Sequence, residues 1–123
     1  MTKRNQDFSK DILSLIRSSV SPAVLSERLQ DFHENDIADV LPELSSAERN
    51  KLYRIFDLDT LSDILEYTDE EMAVTYLEEM SLKKAAAILS RTETNILAEI
   101  LQHFDKEKRN EIISLSYDIA FLK

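Results

Sequence analysis

The sequence has no cysteine and no glycine, only two prolines, and no long apolar run. Without cysteine there are no disulfide staples and no thiolate metal ligands, which fits a reducing compartment. Without glycine there is no phosphate-cradling glycine loop, and helix ends must turn without the usual left-handed glycine. No apolar stretch reaches the ~18 residues of a membrane span, and the first residues, MTKRNQDFSK, lack the apolar core of a secretory signal. Basic residues are also scarce. Fifteen Lys and Arg stand against 24 Asp and Glu, a net charge of −9. Binding nucleic acid or anionic lipid calls for a basic face, so neither is an expected partner, and direct membrane insertion is not expected either. An acidic surface suits cations or basic partners, or simply keeps a domain soluble.

What is present is order. The 123 residues suffice for one domain, and 43% are hydrophobic, enough to fold. From Ser21 to Ser116 one twelve-residue unit is written eight times without a gap, opening at Ser21, His33, Ser45, Asp57, Asp69, Ser81, Glu93 and Asp105. The ninth place of the unit is always apolar: Leu29, Leu41, Tyr53, Leu65, Leu77, Leu89, Leu101 and Ile113. The eighth is apolar in seven units, with Arg28 the exception. The fifth is apolar except at Arg49 and Arg109. Places 5, 8, 9 and 12 follow the i, i+3, i+4, i+7 spacing of one helical face, so each unit reads as a short amphipathic helix. The first place holds good N-cap residues in six units, and Ser45 with Glu48 forms a capping box. His33 and Glu93 are weak caps, for which Asn35 or Thr94 are the expected substitutes. Pro22 suits a first helical position, and Pro42 ends the second helix near Leu41.

Helices this short are marginal alone, so the units must stabilise one another along a shared seam. The expected fold is all-α, a right-handed superhelix of about nine to ten short helices, with consecutive units forming about four hairpins. An N-terminal helix within residues 1–20, from about Asp7 to Ser19, precedes the repeat domain of residues 21–116. Tyr117, Ile119, Ala120, Phe121 and Leu122 make residues 117–123 the expected start of a linker to a further domain.

No catalytic constellation is visible, and the chain is not expected to be an enzyme. His33 and Asp36 stand at i, i+3 and could touch one metal, but a histidine at a helix start is ordinarily a surface residue or a cap. His103 lies on a last helical turn, where it faces the helix dipole. Carboxylates are the abundant polar groups. Place 7 carries Glu27, Asp39, Asp63, Glu99 and Glu111. Such a ridge can serve hard cations, which take oxygen ligands and keep waters, or be a solvated helix face. The run Asp69, Glu70, Glu71 reads as a helix start, where negative charge meets the positive end of the dipole.

The segment His33-Glu-Asn-Asp-Ile-Ala-Asp-Val-Leu resembles the His-Pro-x-Asp-Ile-Ala-Asp-Leu-Leu segment of the cytosolic N-terminal domain of MgtE magnesium transporters. The same rhythm continues through Leu44 to Arg49 and through Ser81-Leu-Lys-Lys-Ala-Ala-Ala-Ile-Leu, so the likeness spans about Ser21 to Ser116. It implies a non-enzymatic regulatory domain at the cytoplasmic face of the cell membrane, followed in the same polypeptide by CBS domains and a membrane pore, with homodimerisation through the downstream domains. It further implies that Mg2+ binds weakly between acidic surfaces, compacts the assembly and closes the pore. By the family's pattern the metal-holding residues are Asp63 and Glu99. Asn35 stands at the third place where the family more often has Pro at the second, and Asn95 falls where the family has a further acid. The glycine-bearing segment that would lead into a CBS domain does not follow Tyr117-Asp118. Two alternatives carry other expectations. A FliG-like motor scaffold would bind ring partners regardless of divalent ions, and a helical-repeat adaptor would expose an apolar patch.

Overall fold

The computed structural model describes residues 8–115. Among these, all regular structure is helical: α1 (Ser9–Ile16), α2 (Pro22–Leu29), α3 (Glu34–Val40), α4 (Ser46–Ile55), α5 (Leu58–Glu66), α6 (Glu70–Glu78), α7 (Leu82–Leu89), α8 (Thr94–His103) and α9 (Lys106–Ser114), with one 3₁₀ turn at Leu41–Glu43 after α3. The expected linker at residues 117–123 and the expected helix start at Asp7 lie outside the described residues.

Each of the eight units contributes one helix, and all eight helices begin at the second place of their unit. The register follows from one recurring set of bonds. The first-place residue is non-helical, with ψ between 139° and 171°. Its carbonyl accepts from the fifth-place N–H, as in Leu25 to Ser21 at 2.9 Å and Leu97 to Glu93 at 2.8 Å. Its side chain accepts from the first turn. Ser21, Ser45, Asp57, Ser81 and Asp105 take the N–H three residues on, at 3.3, 3.1, 2.8, 3.1 and 2.8 Å. Asp69 takes Glu71 and Met72. His33 caps α3 itself, its Nδ1 accepting from the Asn35 N–H at 2.9 Å. Asn35 is the donor there, not the substitute cap. Glu93 makes no side-chain cap bond and Thr94 does not replace it, because α8 already begins at Thr94.

Helix exits are equally regular. The twelfth-place N–H returns to the ninth-place carbonyl at Phe32, Leu44, Thr68, Met80, Thr92 and Phe104, at 3.0–3.2 Å. This tightened last turn satisfies carbonyls that an α-helix leaves open. No described residue has positive φ. The next residue is extended and caps the following helix, so the chain reverses without any left-handed position.

The described residues divide between two compact units, one ending at Phe56 and one beginning at Asp57. In the first, α1 packs on α2 and α3, and α2 on α4. In the second, α5 packs on α7, α7 on α9, α6 on α8, and α6 on α7. Most main partners are therefore next-but-one helices, whereas consecutive hairpins were the expectation. A seam built from two adjacent places, 8 and 9, gives each helix apolar surface for more than one neighbour. All eight ninth-place residues and all seven apolar eighth-place residues are buried.

Three basic side chains of the first unit, Arg49 on this face and Lys51 and Arg17 off it, have identifiable partners. Arg49 sends Nη1 to the carbonyl oxygens of Leu41 and Leu44, at 3.1 and 2.6 Å, around the turn that Pro42 forces. Lys51 reaches the Ile16 carbonyl at the end of α1, at 2.6 Å. Arg17, one residue past α1, holds the Glu48 carboxylate at 2.9 Å and the Glu43 carbonyl at 3.2 Å. Helix α1 is shorter than expected because Ser18 folds back, its hydroxyl donating to the Leu15 carbonyl at 2.7 Å. Phe8 sits edge-on to Phe32, centroids 5.7 Å apart. In the second unit the buried hydroxyls of Ser62 and Thr92 lie 3.0 Å apart. Thr92 also donates to Ile88 O, at 3.1 Å. A hydroxyl has one proton, so Ser62 donates to Thr92.

Three outcomes follow for chemical denaturation. Ser81→Ala removes a cap bond and should cost about 1 kcal/mol, while Glu93→Ser adds one at an extended position and should stabilise by roughly 0.5–1 kcal/mol. Thr92→Val strands the buried Ser62 hydroxyl and should cost roughly 1–3 kcal/mol, and adding Ser62→Ala should cost less than the two singles summed. The Arg17 hydrogen bond, aided by the Ser45 N–H, lowers the Glu48 carboxyl to about 2. A depressed carboxyl stabilises above its unfolded value, roughly 4.3, and loses that contribution as pH falls toward 2. Arg17→Met should therefore flatten the acid side of the stability profile between those limits.

Candidate functional site

The five carboxylates of place 7 are all exposed: Glu27 and Asp39 on α2 and α3, Asp63 on α5, Glu99 on α8 and Glu111 on α9. The cause is geometric. With places 5, 8 and 9 turned inward, place 7 lies on the opposite side of each helix. Of the two residues singled out as metal-holding, Asp63 lies midway along α5 and Glu99 midway along α8. These helices belong to different packing rows of the second unit, since α5 packs on α7 and α8 on α6.

The acidic neighbour of Glu99 is Glu70. A hydrogen bond with Glu70, reinforced by its negative charge, raises the Glu99 carboxyl above its ordinary value, and His103 one turn along α8 acts weakly the other way. Glu70 opens α6, and α6 packs on α8, which brings place 2 of one unit beside place 7 of the next but one. Sequence reasoning assigned Glu70 to the helix start. Asp69 does fill that role as the cap of α6, but Glu70 also faces a second carboxylate. The missing signal was the next-but-one pairing of helices; with it, the two positions fall together.

Two carboxyl groups this close can share a proton, or can each give oxygen to one hard cation that neutralises both. Among the described residues no three His, Asp or Glu side chains converge in a way that would hold a metal ion. Two carboxylates, Glu99 exposed and Glu70 half-buried, are oxygen donors of the kind that hard cations take. His33 presents no comparable arrangement with Asp36, since its Nδ1 is engaged by the Asn35 N–H. Asn95 is exposed near the start of α8 and brings no charge. No helix among the described residues is long and apolar enough to cross a membrane.

An all-α domain of short capped helices with an outward acidic face defines the class as a helical-repeat domain. Within that class, residues 32–118 match the model of the MgtE intracellular N domain, and the chain belongs to that family. Its fold is similar to a solved structure described as the crystal structure of the soluble part of a magnesium transporter, with a TM-score of 0.79 and 20% identity. The likeness takes in 93% of this chain and 47% of that one, so the chain spans about half the length of that protein. No curated protein matches the sequence.

The raised Glu99 carboxyl has a consequence for pH. Its contribution to stability is present below the unfolded value and is lost as pH rises through the folded one. Carbon-detected NMR titration should place the Glu99 midpoint above that of an ordinary glutamate, and Glu70→Gln should bring it back. The same variant should be more stable than the parent at pH 7, and the gain should shrink on acidification as Glu99 takes up its proton.

Proposed function

We propose that this domain is the regulatory part of a magnesium transporter or channel, sensing intracellular Mg2+ at its acidic face and passing the result to a pore in the same polypeptide. The observation that carries this reading is the Glu70–Glu99 carboxyl pair in a domain of the MgtE intracellular N family. The similar fold in the soluble part of a magnesium transporter supports it. Glu99 and Glu70 supply one edge of the ion's surroundings, and Asp63 supplies a second acidic point on the same compact unit. Mg2+ bound there provides two positive charges that cancel carboxylate repulsion. The remaining oxygen ligands come from water and from acidic partners outside this chain, for which CBS domains and a pore-linked segment are the proposed source. The domain does no bond-making chemistry in this role. It works at the cytoplasmic face of the membrane, and any homodimer forms through the downstream domains.

The ion acts by mass action. At high Mg2+ a compact arrangement that brings acidic surfaces together is favoured, because it binds the ion better than an open one. At low Mg2+ the surfaces repel and the pore is released. A motor scaffold or peptide-binding adaptor is less well supported. Among the described residues the exposed large apolar side chains are Tyr67 and Leu115, on different helix ends, with no shared face between α5 and α9 required by the packing.

The test is a Mg2+ titration of the polypeptide that carries this domain with its downstream segments, followed by X-ray scattering. The radius of gyration should fall as Mg2+ rises, and the midpoint should move to higher Mg2+ in Asp63→Asn and further in the double variant with Glu99→Gln. Unchanged compaction in the double variant would remove both residues from the sensor. In the isolated domain, Mg2+ should shift the Glu70 and Glu99 carboxyl resonances only at high concentration.

A further inference from the structure

We draw no further inference here: the strongest candidate, the carboxyl pair of Glu70 on α6 and Glu99 on α8, belongs to the site already described, and no second feature around it points to another ligand.

Discussion

The structure depends on a hydrogen-bonded turn that needs no glycine. A helix usually leaves its last carbonyls through a left-handed residue, and in a chain of L-residues other than glycine that position is costly. Here the twelfth-place N–H closes on the ninth-place carbonyl, the next residue extends, and its side chain receives the N–H groups of the following helix. Exit and start are thus one device of about three residues, and the helical segment fills the rest of the period. Each cap is worth about 1 kcal/mol, and a helix of seven to ten residues is only about 10–15 Å long. Neither the caps nor intrinsic propensity can hold such pieces in place. The buried eighth- and ninth-place side chains do, at about 1.5–3 kcal/mol for each fully buried aliphatic group.

The same economy determines where charge can go. A helix of two to three turns that turns places 5, 8 and 9 inward has few positions facing directly away, and place 7 is one of them. In five of the eight units that place holds an acid. Next-but-one packing then aligns α6 with α8, so two acids 29 residues apart, one at a helix opening and one at a helix middle, end up side by side at Glu70 and Glu99. Their repulsion is tolerated because Glu99 is exposed and Glu70 only half-buried, so water and salt screen the pair. In the proposed role that tolerated repulsion is the quantity that a divalent ion removes.

Most of the fold was legible because it rests on period and cap chemistry, both local properties. All eight helix starts fall one residue after the first place, and the seam positions Leu29 through Ile113 are buried without exception. What was not legible depended on contacts far apart in sequence. Arg49 looked like a break in the pattern, yet it reaches the Leu41 and Leu44 carbonyls at the turn. The acid next to Glu99 was likewise invisible, since period alone does not say whether a helix meets its successor or the one beyond. His33 was underrated as a cap because its acceptor is a ring nitrogen, which geometry allows only when the ring lies over the Asn35 N–H.

An ion can bias a conformational equilibrium only by the difference between its affinities for the two arrangements. A closed, high-affinity site wholly within this domain would bind Mg2+ equally well whether or not the domain had moved, and would shift nothing. A two-carboxylate edge behaves differently. In the proposed role it would bind feebly in the open arrangement and gain ligands only when another acidic surface approached, so most of the binding free energy would appear in the compact state. A shift from mostly open to mostly closed needs about 5.5 kcal/mol of such differential binding, more than one exposed pair can supply. On the proposed reading, several weak sites spread over an acidic face, each completed on closure, would meet that requirement and make the response steep in Mg2+. In that proposed role a repeated outward carboxylate would serve regulation because each single position is a poor metal site.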